Sequence, residues 1–229
     1  MRALRILLIT AVVLGGLFVA ADRLLLSYAE QEAAEKVRAR QGASGTTEVS
    51  IAGFPFLTQV AGKELERVDV TVRGVEASAG GRRMVISEMS AALRDVRLGG
   101  GFSSATATTA TGTARISYAD LAKAVEEDVT VAYGGNGKVK VTGTVDIGGR
   151  TLSRSVVSTV SLVDGGTIRV RADEVPGEGI PMLENLIRQK TDFDREISGL
   201  PQGMELEKVQ VEEGGFVITV TGRNVPLTG

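Results

Sequence analysis

The chain has 229 residues, enough for one sizeable domain or two small ones, and it contains neither histidine nor cysteine. That composition excludes disulfides, thiolate nucleophiles, Cys/His zinc sites and the usual general base of nucleophilic hydrolases. Of 26 basic residues, Arg2 and Arg5 precede the first acidic residue, Asp22; with 28 acidic residues, the rest of the chain is net negative by about four, a balance poorly suited to nucleic acid or to electrostatic adhesion on anionic lipid.

Two arginines lead into Ile6–Ala21, an apolar or small run of 16 residues broken only by Thr10. This is the pattern of a secretory leader or a membrane anchor, with the N-terminus inside and everything after Ala21 outside. Val19-Ala20-Ala21 suits a signal peptidase, yet the run falls just short of the roughly 20 residues a spanning helix needs. Residues 1–21 are therefore expected to be a signal peptide or an N-terminal anchor. Residues 22–42, rich in Ala, Glu, Arg and Leu, read as a juxtamembrane helix stopped at Gln41-Gly42, with Leu24, Leu25, Tyr28 and Ala29 sharing a face. Residues 43–229 form a single β-rich domain after a short polar linker.

A strand-like run, Thr47–Ala52, ends at Gly53-Phe54-Pro55-Phe56-Leu57, which carries two of the nine aromatic residues. Proline fixes its own φ and biases Phe54 towards extended backbone, so a turn is expected here. Its aromatics either plug a core or form an apolar lip at a ligand cavity. Beyond it the period is two. Val68, Val70 and Val72 alternate with polar residues, and Gly80-Gly81 turns into Met84–Leu98, whose apolar phase shifts twice and predicts bulges near Ser87 and Arg94. Gly99–Thr113, rich in Gly, Ser, Thr and Ala, reads as a loop or weak edge strand. Ser117 and Asp120 form a capping box for a helix over Tyr118–Asp128, with Leu121 and Val125 inward.

Alternation resumes at Val129–Tyr133 and continues through Val139–Ile147, Leu152–Val163 and Ile168–Ala172, with turns at Gly134–Gly137, Gly148-Gly149 and Asp164–Gly166. The similar turns Gly80-Gly81-Arg82 and Gly148-Gly149-Arg150 hint at duplication. Pro181 opens a helix to about Lys190 with Met182, Leu183, Leu186 and Ile187 on one face. A strand at Phe193–Ile197 is broken by Gly199-Leu200-Pro201. Glu205–Val211 and Phe216–Thr221 close the domain, leaving Asn224–Leu227 as a tail.

No Gly-x-Ser-x-Gly elbow, Walker loop or histidine-paired nucleophile is present. Gly135-Asn136-Gly137 leads into alternation and is a hairpin, and Glu126-Glu127-Asp128 lacks calcium-loop spacing and reads as a solvated charge run. No metal, cofactor or catalytic residue is expected, although 28 acidic residues in unspecified geometry leave a carboxylate pair open. An apolar ligand carrier and an ordinary β domain both fit these residues.

The stretch Gly53-Phe54-Pro55-Phe56-Leu57-Thr58-Gln59, followed by Val68-Asp69-Val70-Thr71-Val72, resembles the LmeA-like phospholipid-binding family of the actinobacterial cell envelope. Val141-Thr142-Gly143-Thr144-Val145, Ser158-Thr159-Val160, Gly199-Leu200-Pro201 and Asn224-Val225 follow in the family's order, so the resemblance covers about residues 22–227. It implies an exported, non-enzymatic protein outside the plasma membrane, membrane-anchored or secreted, that binds phospholipid in an apolar groove and supports envelope lipid or lipoglycan maintenance. The expected fold is α+β and mostly antiparallel. Its curled sheet packs around one or two helices, and fold-level analogy extends this to a tubular (TULIP-like) lipid-binding arrangement. Acyl chains are expected between the sheet and Met182, Leu183, Leu186 and Ile187, with Phe54, Pro55, Phe56 and Leu57 at the entrance. Two other classes remain open: a scaffold binding a protein partner through a sheet edge, and an enzyme using a carboxylate pair on a glycolipid.

Overall fold

A computed structural model describes residues 2–41, 45–79, 82–102, 104–124, 129–147, 150–174, 188, 192–197 and 200–227. A single helix, α1 (Arg2–Gln41), runs through both the apolar run and the charged segment that follows it. Its 40 residues span about 60 Å. No proline interrupts it, and the Ala/Glu/Arg/Leu-rich half propagates the helix set up by the apolar half. Among the described residues it is the one helix long and apolar enough to cross a membrane.

The large apolar side chains from Leu4 to Val19 are exposed. From Asp22 onward a stripe through Asp22, Leu26, Ala29, Ala33 and Val37 turns inward at helical spacing. The apolar face expected there divides: Ala29 joins the inward stripe, whereas Leu24, Leu25 and Tyr28 point outward and are exposed.

Eleven strands are described, in two antiparallel sheets. The first has the order β1-β2-β3-β4-β11-β10. It contains β1 (Thr47–Ala52), β2 (Glu64–Ala79), β3 (Arg82–Leu98), β4 (Ala105–Ile116), β10 (Met204–Glu212) and β11 (Gly215–Pro226). The second runs in sequence order through β5 (Val129–Gly135), β6 (Lys138–Ile147), β7 (Arg150–Val163), β8 (Thr167–Ala172) and β9 (Phe193–Glu196). Two short α-helices, α2 (Phe56–Gly62) and α3 (Tyr118–Ala124), and a 3-10 turn at Gly100–Phe102 complete the described elements. The expected α+β, mostly antiparallel class holds, and neither sheet closes on itself among the described residues.

Three local expectations are overturned. The Ala/Thr/Gly-rich segment is not a loop or an edge: β4 lies in the middle of the six-stranded sheet, paired with β3 and β11. Its small side chains let neighbours close over it, so Ala107 and Ala110 are buried, and a Cβ on Gly112 would lie 2.9 Å from Val220. Asn224–Pro226 is not a tail, because β11 runs through it and buries Val225. The chain after Pro55 is helical, since a proline constrains the residue before it and leaves those after it free.

The phase shifts in β3 have a definite cause. Its ladders omit Asp95, opposite Glu66 on β2 and Thr108 on β4, and β11 omits Asn224 opposite the same Thr108. Asp95 and Asn224 have φ near 50°. Gly74, with φ 68°, faces the other gap at Ser87. Pairing resumes in the same register beyond each gap, so these are matched interruptions rather than bulges with an extra residue. Leu93 and Val96, of opposite parity, consequently pack into one core.

There are two cores. One joins the second sheet to the end of the first through Val139, Val141, Val156, Val170, Ala172 and Val211, with Tyr118 edge-on to Phe216. The other lies beneath α1 and α2 and contains Ile51, Phe56, Leu65, Val96 and Ala107, with Leu26 and Ala29 against it. The Ser117–Asp120 cap forms as expected: the Asp120 amide donates to Ser117 Oγ at 3.1 Å. Leu121 is half-buried, while Val125, the Gly-Gly turns, the acidic triplet and the helix over Pro181–Ile187 lie outside the described residues.

Candidate functional site

The turn after β1 folds onto α1 just where the apolar run ends. Gly53 has φ 102°, which favours glycine, and a Cβ there would sit 2.5 Å from Gln59 Nε2 and 2.9 Å from Glu66 Oε2 and displace those side-chain ends. The Phe54–Pro55 peptide bond is cis. Phe56 then starts α2, and Thr58 Oγ1 donates to the Pro55 carbonyl at 2.8 Å. Gln59 ties the turn together by donating to Ala52 O at 3.3 Å and accepting from the Glu66 amide at 2.8 Å. Lys63, with φ 56°, ends the helix, its N–H reaching the carbonyls of Gln59 and Val60.

Two side chains of α1 hold this turn. Asp22, the first acidic residue after the apolar run, is fully buried, and its Oδ1 accepts the Leu57 amide at 2.8 Å. Arg23 donates to Oδ2 of the same carboxylate at 2.7 Å, and its guanidinium carbon lies 5.0 Å from the centre of the Phe54 ring. About two turns further along, Glu30 accepts the Ile51 amide at 2.8 Å, fixing β1 to the helix. The buried carboxylate is thus satisfied at the free N-terminal amides of α2, where a negative charge is favourable.

The two aromatics divide. Phe56 is 6% exposed and packs in the core, whereas Phe54 is 61% exposed. Pro55 and Leu57 are half-buried. Above Phe56 lies an apolar cavity of about 240 Å³ lined by Ala29, Ile51, Phe56, Val60, Leu65 and Leu98. Every lining residue is aliphatic or aromatic, and four elements besides α1 supply them: β1, α2, β2 and β3. The structure therefore brings Phe56 of the expected entrance residues to a cavity wall and leaves Phe54 outside. Met182, Leu183, Leu186 and Ile187, the expected opposite wall, lie outside the described residues.

Sequence reasoning missed Asp22, Arg23, Glu30 and Gln59 as positioning residues, and Ala29, Ile51, Val60, Leu65 and Leu98 as lining. The one signal was Asp22 itself, a lone acid set directly against an apolar run. Three arginines of the first sheet are engaged: Arg73 pairs with Glu48 and Glu88, Arg67 with Asp69, and Arg115 with Glu212. Among the described residues no group of three acidic side chains is placed to hold a metal ion. The aliphatic and aromatic lining of the cavity can hold an apolar chain.

No curated protein and no solved structure matches the chain. The sequence model of the LmeA-like phospholipid-binding proteins matches residues 20–221, from the end of the apolar run through β11. With nearly its whole length matched, and with an apolar cavity beneath the Gly-Phe-Pro-Phe turn, the chain belongs to the LmeA-like phospholipid-binding family.

Proposed function

We propose that this protein is a phospholipid-binding, non-enzymatic component of the cell envelope, anchored by α1 with its domain on the outer side of the plasma membrane. There it holds an acyl chain in the cavity between α1, α2 and β1–β3 and supports envelope lipid or lipoglycan maintenance. The observation that carries this reading is the cavity: about 240 Å³, apolar throughout, in a chain of this family. Drug-sized ligands occupy about 300 Å³ or more, so this volume suits part of one acyl chain. Each methylene transferred into it is worth about 0.8 kcal/mol, which binds lipid without a charged anchor.

Position supports the same reading. Ala29 on the cavity wall is eight residues beyond Ala21, about 12 Å along the helix. With α1 spanning the bilayer, the cavity stands near the headgroup layer. The helix runs unbroken through Val19–Arg23, and Asp22 is buried at once under the Phe54–Leu57 turn, which favours a retained anchor over a cleaved leader. The aligned interruptions at Glu66, Asp95, Thr108 and Asn224 support a sheet that bends over α1, the curled and tubular arrangement of the proposal. Met182, Leu183, Leu186 and Ile187 extend the groove in this reading.

A phospholipid carrying a diazirine at its acyl terminus tests the proposal. After irradiation in proteoliposomes, crosslinks are expected on the peptides containing Ile51, Phe56 and Leu98. Labelling confined to the apolar run Ile6–Ala21 would refute the cavity as the acyl site.

A further inference from the structure

We propose that the base of the domain is seated in the outer leaflet, with Leu24, Leu25 and Tyr28 on the free face of α1 and Phe54 at the tip of its turn forming one lipid-facing rim. The inference rests on α1 being retained as an anchor, and it concerns a surface separate from the cavity.

Length is the first argument. The run Ile6–Ala21 rises about 24 Å, short of the roughly 30 Å hydrocarbon core. Four more residues, to Leu25, supply the missing 6 Å. The outward face over that turn is apolar: Leu24 is 74% exposed, Leu25 47% and Tyr28 67%, continuous with the exposed apolar surface from Leu4 to Val19. Tyr28 then stands at the depth where aromatic side chains collect at membrane surfaces.

Asp22 is the second argument. If the hydrocarbon boundary lies near Leu25, this carboxylate falls inside it, where an unsatisfied charge is very costly. The structure gives it no exposed surface, a backbone donor from Leu57 and a guanidinium from Arg23. Arg23 pairs with this carboxylate and lies over the Phe54 ring, so the two opposite charges offset each other at the rim. The third argument is Phe54, an aromatic ring left exposed beside this junction while Phe56, two residues on, is buried. A turn that covers the acid and presents a ring outward matches a membrane surface. Lipid then passes from leaflet to cavity without crossing open water.

The chain contains no tryptophan, so Phe54→Trp introduces a single fluorescent reporter. The full-length variant is reconstituted into phosphatidylcholine–phosphatidylglycerol vesicles containing lipid spin-labelled at a shallow or a deep acyl position. Val157→Trp, an exposed site on β7, serves as the comparison. The Phe54→Trp indole is expected to be quenched several-fold more by the shallow label than the Val157→Trp indole, and to be shielded from aqueous iodide. The quenching should survive Ala29→Leu, which fills the cavity, because the rim contacts bilayer rather than bound lipid. Equal lipid quenching and equal iodide access at the two positions would overturn the seat while leaving carriage intact. Quenching abolished by Ala29→Leu would also overturn it, by assigning the signal to lipid in the cavity. A chain whose intact mass begins at Asp22 would remove the anchor and the seat together.

Discussion

Filling the cavity separates a lipid site from a packing imperfection. Ala29→Leu adds three carbons to a wall of the 240 Å³ space, which exceeds the roughly 150 Å³ of a well-known engineered core cavity. Burying them is worth at most about 2.4 kcal/mol at 0.8 kcal/mol per carbon. Ordering the leucine costs about 0.5–1 kcal/mol, and its helix propensity is close to that of alanine. A net gain of about 1–2 kcal/mol is expected for the lipid-free protein, raising the thermal midpoint by about 2–8 °C for a chain of this size. Phospholipid uptake should fall at the same time, because the added side chain occupies the space of the acyl chain. The full chain in amphipol, scanned by calorimetry after delipidation and then assayed for fluorescent-phospholipid uptake from vesicles, reads both effects. A lower midpoint with undiminished uptake would refute the reasoning, since it would mean the space is neither free nor the binding site.

Other substitutions probe the supports of the site. Phe56→Ala removes a buried ring and should cost about 3–5 kcal/mol, measured as a shifted denaturation midpoint. Gly53→Ala forces a Cβ onto Gln59 at positive φ and should destabilise by more than about 1 kcal/mol, whereas Gly62→Ala, which meets nothing within 4 Å, should not. Phe54→Asp should leave the thermal midpoint nearly unchanged, because the ring is exposed, while strongly reducing lipid uptake from vesicles. At the second sheet, the Lys138 ammonium and then the Thr159 hydroxyl hold the Asp173 carboxyl below the ordinary carboxylate value. Its contribution is therefore present at neutral pH and lost as pH falls through that lowered value. Asp173→Asn should lower the thermal midpoint by about 1–3 °C at pH 7, with the difference vanishing in acid once the carboxyl is protonated in the folded chain as well.

Local chemistry made much of the fold legible before any coordinates. Alternation marked the middle of β2, β6 and β8, and Ser117 with Asp120 marked the start of α3. What failed was the inference from composition to position. The Ala/Thr/Gly segment looked too weakly hydrophobic for a central strand, but β4 is flanked by strands on both sides and needs small residues more than large ones. Its threonines, good β-formers, were the overlooked signal. At the site, the Gly-Phe-Pro-Phe turn was recognisable, yet not which ring would be buried. That choice depends on Asp22, 35 residues before Leu57, and no local rule pairs residues so far apart. Likewise the inward face of α1 is set by where β1 and α2 dock, and apolar spacing alone grouped Ala29 with Leu24, Leu25 and Tyr28 without telling which side packs.

The central claim is that this chain carries phospholipid by its acyl chain. Native mass spectrometry of the full-length protein, released from its host membrane and followed by organic extraction, tests that claim most directly. A single phospholipid bound in about one-to-one ratio, absent from Ala29→Leu and retained in Asp173→Asn, is the expected result. A wild-type protein that leaves the membrane empty and takes up no phospholipid from vesicles would contradict it.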